Sequence, residues 1–337
     1  MRDRQLEKPR YPEIDFLKFV CILTVVYIHS ISTSFSPGNF LGYLVGDFTR
    51  YAVPGLFFAS GFLFDKKKYT TKEIFWKKII RLIPPYLFCS IIFQIIDAPG
   101  LMVARDDLNL SEFLNNIILG NTFGIYYFVF VLFYLFSLSL FLRKISKTLV
   151  LILWMFSFLF LIFFWFGWIA QVESMFWLFR HPFIYLFFYF SGWIFSLHYR
   201  LVISFIEKYN SKILGLGVSL IISLIFYTRI CGKSFNEFPV APQFFIISSI
   251  LIIVTLGVSN FTNRSSIVDF FSKNSYAIYL LHFPIVRYFQ FLYPEASKHY
   301  SFFYSLVFWG FGLSVSVLLI LAIKRITGKS SIHLIGA

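Results

Sequence analysis

A basic residue and a histidine lie eleven positions apart in the apolar stretch DFLKFVCILTVVYIHS, which runs from Asp15 to Ser30. At about 100° per residue, eleven steps make three turns plus roughly 20°, so Lys18 and His29 share one helix face. Asp15 lies three positions before Lys18 and can pair with it there. A histidine within reach of a hydroxyl can accept its proton, which is general-base chemistry. The alternative is structural, with Asp15 and Lys18 at the membrane interface and His29 a hydrogen-bonded packing residue.

A pair of cations is the second candidate, in the stretch WKKIIRLIPPYL. Lys78 and Arg81 are three positions apart and therefore lie on one helix face. Two cations held close together suit a phosphorylated ligand. The alternative is that they anchor the helix at the cytoplasmic surface of the membrane. Pro84 and Pro85 follow within the helix and free backbone carbonyls, which is tolerated in the interior of a bundle.

Small residues in FFASGFLF form the third candidate. Ser60 and Gly61 allow another helix or a ligand to approach closely, and helix packing is the commoner use of such residues. They are not expected to carry chemistry alone.

The stretch SKNSYAIYLLHFPIV is the fourth candidate. Asn274 or Ser275 is expected to cap a helix, and His282 lies about two turns further on. A structural hydrogen bond is the favoured interpretation of His282. No third residue completes a metal triad with His29 and His282, so no metal is expected.

The elements that carry these residues are membrane helices. Of the 337 residues, 58% are hydrophobic and 14% are charged, and the mean hydropathy is +0.75. These values predict an all-α, polytopic membrane bundle. A window of about 19 residues places about ten spans near 14–34, 40–64, 79–97, 125–143, 148–167, 182–198, 212–228, 243–259, 274–293 and 301–324.

The distribution of Lys and Arg predicts the orientation. Of 30 such residues, 21 lie on the side of the N-terminus and five on the opposite side. By the positive-inside rule both termini are cytoplasmic. One domain then covers residues 1–337, with a cytoplasmic segment at 1–13, a ten-helix bundle at 14–324 and a cytoplasmic tail at 325–337. The net charge of +14 does not indicate nucleic acid, because the basic residues flank apolar spans.

Taken together, these stretches resemble the acyltransferase-3 family of bacterial membrane proteins over nearly the whole chain. The motifs are Asp15 and Lys18 followed by His29, PGLFFASGFLF, the pair Lys78 and Arg81, and NSYAIYLLHFPI. The family often has Arg where this chain has Lys18, and its basic pair reads R-x-x-R. Lys78 occupies the first position of that pair, which weakens the case for bidentate phosphate contact there.

The resemblance implies ten spans in the bacterial inner membrane and transfer of an acyl group. The donor would be an acyl-CoA, most often acetyl-CoA, held by Lys78 and Arg81 at the cytoplasmic side. The acceptor would be a hydroxyl of a cell-surface glycan or lipid-linked sugar, deprotonated by His29 with Asp15 and Lys18 in support. Ser60, Tyr279 and His282 are accessory candidates.

Partners beyond the surrounding lipid also follow from the resemblance. Some members carry an extra soluble hydrolase-like domain, whereas this chain ends about a dozen residues after the last predicted span. A separate extracytoplasmic protein would supply such a domain if it is needed. The alternative functions are a transporter or flippase for a polysaccharide or lipid-linked sugar, and a receptor or assembly scaffold without chemistry.

Overall fold

A computed structural model describes residues 11–31, 40–64, 70–96, 110–120, 122–142, 147–165, 179–231, 242–262, 265–293 and 302–337. Every regular element within these ranges is helical, which confirms the predicted all-α class. The helices are α1 (Pro12–Ile31), α2 (Phe40–Thr49), α3 (Ala52–Phe62), α4 (Thr71–Ile96), α5 (Leu110–Ile118), α6 (Tyr127–Leu142), α7 (Lys147–Trp165), α8 (Pro182–Leu197), α9 (Tyr199–Lys208), α10 (Asn210–Cys231), α11 (Pro242–Val258), α12 (Ser266–Leu292), α13 (Phe302–Thr327) and α14 (Ser331–Leu334).

Five helical segments among the described residues are long and apolar enough to cross a membrane. They are Pro12–Ile31, Gly124–Leu142, Asn210–Cys231, Phe244–Phe261 and Phe302–Thr327. A sixth span results if α8 and α9, which meet at an angle of 94°, count as one. The predicted span at 40–64 is divided into α2 and α3, and each is about half the roughly 20 residues that a bilayer requires. Ten spans and cytoplasmic termini therefore stay predictions.

Helix α1 lies at the centre of the bundle, where it packs against α3, α11, α12 and α13. Its side chains Ile14, Leu17, Cys21 and Val25 follow helical spacing and are at most 1% exposed. Helix α12 runs beside α1 in the same direction. Lys18 contacts Ser272 near the start of both helices, and His29 contacts His282 further along.

Helices α3 and α8 approach each other closely, through one glycine on each. A Cβ atom on Gly61 would lie 1.9 Å from the carbonyl oxygen of Tyr189, and one on Gly192 would lie 1.9 Å from the carbonyl oxygen of Phe58. Both distances are far below van der Waals contact, so only glycine fits at either position. The predicted packing role of Gly61 is therefore confirmed, and its partner is the backbone of α8.

Two helices begin earlier in the sequence than the apolar pattern predicts. Helix α12 begins at Ser266, and the hydroxyl of Ser265 accepts the N–H of Ile267 at 3.2 Å. The cap predicted at Asn274 or Ser275 is therefore wrong. The reason is that α12 extends about two turns beyond the continuously apolar stretch on which the prediction was based.

Helix α4 likewise starts before its apolar segment, at a capping box. The N–H of Thr70 donates to the Glu73 carboxylate at 2.8 Å, and the N–H of Glu73 donates to the Thr70 hydroxyl at 3.2 Å. This start places Lys78 and Arg81 inside the helix, about two to three turns after its first residue. Pro84 and Pro85 lie within the same helix, as predicted.

Candidate functional site

The first predicted cluster is organised by a residue from another helix. The ammonium group of Lys18 donates to the Ser272 carbonyl oxygen at 2.5 Å and to its hydroxyl at 3.3 Å. The same hydroxyl donates to the Asp15 carboxylate at 2.5 Å. Ser272 is fully buried, so Asp15 and Lys18 meet at a polar point inside the contact between α1 and α12. The predicted proximity of the two charges is retained, and Ser272 bridges them.

The end of the same face of α1 carries His29 against α12. The ring centroids of His29 and His282 lie 5.4 Å apart with an interplanar angle of 39°. The Phe283 ring lies 5.1 Å from His29, edge to face. Lys18 and His29 therefore do share a face, and that face contacts α12. The structure also brings the accessory candidate His282 next to the predicted base.

A cavity lies among α1, α3, α4, α6, α8 and α12, with a volume of about 840 Å³ that includes the solvent at its mouth. Five of the eight predicted site residues line it, and they are Lys18, Ser60, Lys78, Arg81 and Tyr279. These five residues come from four helices that are distant in sequence.

The electrostatic character of the cavity is basic. Lys18, Lys78 and Arg81 contribute three cations, and none of the described residues that line the cavity is acidic. The guanidinium of Arg81 donates to the Lys273 carbonyl at 3.2 Å, which holds it against α12. Apolar and aromatic side chains such as Leu132, Phe136 and Tyr189 form most of the remaining wall. A ligand that carries negative charge and also an apolar portion suits such a lining.

Ser60 and Gly61 face different neighbours, although the sequence predicts the same role for both. Gly61 lies against the backbone of α8, whereas Ser60 lines the cavity. The Ser60 hydroxyl donates to the Leu56 carbonyl at 2.8 Å, within its own helix. Its oxygen keeps lone pairs with which to accept a bond from a ligand.

Tyr279 lies at the wall of the cavity and beside His282. Its ring lines the cavity, and its centroid is 5.9 Å from that of His282. Its hydroxyl donates to the carbonyl of Ile125, while the hydroxyl of Tyr126 donates to the carbonyl of Leu280 at 2.7 Å. These reciprocal bonds fix α12 to the start of α6, so Tyr279 is held firmly at the boundary.

Three residues near α1 were not predicted as site residues. Ser272 bridges Asp15 and Lys18, and Gln290 donates from Nε2 to the Ser30 carbonyl at 3.3 Å. Arg287 lies over the Phe283 ring at 5.3 Å. Ser272 and Gln290 gave no sequence signal, because their importance depends on which helix packs beside α1. Arg287 did give one, as a charge within an apolar stretch.

The chain also matches a known protein family. The acyltransferase-3 family model, described as an acyltransferase domain, matches residues 11–325, nearly the whole chain. Comparison with curated proteins and with solved structures returned no match in either case. The matched range contains α1 to α12 and most of α13, and hence every residue of the site described above. The resemblance seen in the motifs is therefore confirmed, and this multi-pass membrane protein belongs to the acyltransferase-3 family.

Proposed function

We propose that this acyltransferase transfers an acyl group, most simply acetyl, from acyl-CoA to a hydroxyl of a cell-surface glycan or lipid-linked sugar in the bacterial inner membrane. The observation that carries the proposal is that three cations, Lys18, Lys78 and Arg81, line one cavity, and that Tyr279 in its wall contacts His282, which in turn contacts His29. The basic wall suits the donor's phosphates, and the histidine pair beside Tyr279 suits proton transfer.

The donor would enter at the basic end. Lys78 and Arg81 are one helical turn apart on α4, so both can contact neighbouring phosphate groups. Arg81 offers a planar fork of donors and Lys78 a point charge. The pantetheine arm would follow the apolar wall toward His29, which lies roughly 16 Å from Lys18 along α1.

The chemistry needs one base and no covalent enzyme intermediate. His29 takes the proton of the acceptor hydroxyl as its oxygen attacks the thioester carbonyl carbon. The carbon–sulfur bond then breaks, and the electron pair leaves with sulfur as CoA thiolate. The protonated His29 returns its proton to that thiolate. The products are the sugar ester and CoA, with the histidine restored.

The acceptor would lie at the far end of α1. Gln290 bonds the Ser30 carbonyl through Nε2, and its buried Oε1 has no hydrogen-bond partner within the described ranges. A buried acceptor atom of this kind is suited to a hydroxyl donor such as that of a sugar. Gln290 therefore supports an acceptor that carries a hydroxyl group.

The test is transfer of label from radiolabelled acetyl-CoA to membranes that contain the native surface glycan. The label should appear in a product that mild alkali releases, as an ester requires. His29→Gln should reduce transfer by a factor of about 10² to 10⁴, because Gln keeps a hydrogen bond but cannot serve as a base near neutral pH. His198→Gln is the matched control, since His198 is exposed at the bend between α8 and α9.

Near-normal turnover by His29→Gln would contradict the proposal. The favoured function would then be a transporter or flippase for a lipid-linked sugar. The 94° break between α8 and α9 supports that second candidate, because broken helices are common in transporters. Movement of the sugar lipid across vesicles without acetyl-CoA would establish it.

A further inference from the structure

The imidazole of His282 has one nitrogen atom, Nε2, whose burial without a hydrogen bond is not explained by packing. Its side chain is fully buried, and Nδ1 lies 2.9 Å from the carbonyl oxygen of Ile278 one turn earlier in α12. Because a carbonyl can only accept, Nδ1 carries the proton of the neutral ring. Nε2 is then a hydrogen-bond acceptor, and it has no partner in the part of the chain that the structure describes.

An apolar side chain would serve a purely structural purpose better at this position. The rings of Tyr279 and Phe283 contact the imidazole, so the setting is aromatic. A buried acceptor without a donor lowers stability, whereas a phenyl ring would bring no such penalty. The unsatisfied Nε2 therefore points to a donor that is present at some stage of function.

Among the described ring contacts of His282, the shortest is with His29, whose imidazole can present an N–H group. Its centroid is 5.4 Å from that of His282, a separation at which nitrogen atoms of the two rings can approach to hydrogen-bond distance after a small rotation. The two rings lie on α1 and α12, which are tied together at Lys18 and Ser272. The contact between α1 and α12 therefore keeps the two rings beside each other.

We infer that His282 is a positioning residue for His29. Its Nε2 accepts the N–H of His29, which fixes the tautomer of His29 and leaves the second nitrogen of that ring facing the substrate hydroxyl. This inference rests on the proposed function, in which His29 is the base. When His29 has taken the hydroxyl proton, both of its nitrogens carry hydrogen, and His282 stabilises the cation through the bond to Nε2. No proton passes to His282.

Two substitutions separate this role from a structural one, because each keeps a different half of the imidazole. His282→Asn retains a donor near the position of Nδ1, and so the bond to Ile278, but it removes the acceptor at Nε2. His282→Gln retains an acceptor near the position of Nε2 and loses the local bond. Both variants are made in the full-length protein, and thermal stability is measured beside transfer from radiolabelled acetyl-CoA to the native glycan.

We expect His282→Asn to fold normally and to lose about tenfold or more in kcat, with the KM for acetyl-CoA unchanged. His282→Gln should be less stable and yet retain more activity than His282→Asn. The reverse order of activity, or activities that follow stability, would show a purely structural histidine. If His282→Asn is fully active while His29→Gln is inactive, the inference fails and the proposed function stands. If the unsubstituted protein transfers no label, both fail.

A second readout does not depend on turnover. In protein labelled with ¹⁵N-histidine, the imidazole signals of His29 are identified by their loss in His29→Gln. One tautomer of His29 should dominate in the unsubstituted protein and in His282→Gln, since a protonated and a bare imidazole nitrogen have distinct shifts. His282→Asn should give a mixture. An unchanged His29 spectrum in His282→Asn would overturn the inference.

Discussion

The ammonium nitrogen of Lys18 lies 2.5 Å from the backbone carbonyl oxygen of Ser272 and thereby ties α1 to α12. The Ser272 hydroxyl in turn donates to Asp15, so the connection includes two opposite charges and one buried polar side chain. The contact of Ser272 with Lys18 and Asp15 sets the register in which α1 and α12 run side by side. The proximity of His29 and His282 further along depends on that register.

Removal of the Lys18 charge should therefore destabilise the bundle. We expect Lys18→Met to lower stability by about 1–3 kcal/mol, because Asp15 would lose its nearby cation, and Ser272→Ala by about 1 kcal/mol. Lys18→Arg should be tolerated, since the charge and donors remain. Thermal unfolding of the purified protein in detergent measures all three. Equal stability of Lys18→Met and Lys18→Arg would contradict the role of the charge.

The basic wall of the cavity should determine donor affinity. Arg81→Ala and Lys78→Ala should each raise the KM for acetyl-CoA about ten- to a hundredfold, because a charge-assisted contact contributes about 1.5–3 kcal/mol. Lys77→Ala is the control, since Lys77 is an exposed neighbour on the same helix that does not line the cavity. Unchanged donor affinity in both cavity variants would leave membrane anchoring as their function.

Gln290 should affect the acceptor and not the donor. Gln290→Leu removes the buried Oε1, so we expect the KM for the glycan to rise about five- to tenfold while the KM for acetyl-CoA stays the same. Initial rates at varied glycan with saturating acetyl-CoA, and at varied acetyl-CoA with saturating glycan, provide the two measurements. A change in the KM for acetyl-CoA alone would place Gln290 outside the acceptor site.

The contact between α3 and α8 should not tolerate a methyl group. Gly61→Ala and Gly192→Ala should each lower stability by about 1–3 kcal/mol or prevent assembly, because the added Cβ meets backbone oxygen at 1.9 Å. Gly310→Ala in α13 is the matched control, since its Cβ would have no neighbour within 4 Å. It should be neutral or slightly stabilising. Thermal unfolding distinguishes the two classes, and equal effects would contradict the described packing.

The topology predicted from the basic residues is open to a direct test. Reporter fusions after Ser36, Lys67 and Asp107, which lie outside the described residues, should read outside, inside and outside, since the basic loops remain in the cytoplasm. A cytoplasmic signal at Asp107 would overturn the ten-span arrangement. Fusion at Lys67 is the internal control for the inner side.

Local pattern was enough for the apolar character of the membrane helices and for the residues that share one face of a helix. Hydropathy predicts apolar membrane helices because lipid requires each backbone polar group to be bonded within its own segment. Helical periodicity predicts that Lys18 shares a face with His29, and Lys78 with Arg81, because these relations depend only on 3.6 residues per turn. The motifs also sufficed for the family, which the match over residues 11–325 confirms.

Lateral packing decided the rest. Lys18 and Ser272 are 254 positions apart, and hydropathy does not specify which apolar helix lies beside which in lipid. The same limit explains why the sequence did not indicate which neighbour Ser60 faces, and why it favoured a structural hydrogen bond for His282 without indicating that His29 is its neighbour. The predicted start of α12 was also wrong, because polar turns can continue a helix beyond the bilayer. The site exists because side chains from α1, α3, α4 and α12 converge, and only close packing of these helices brings them together.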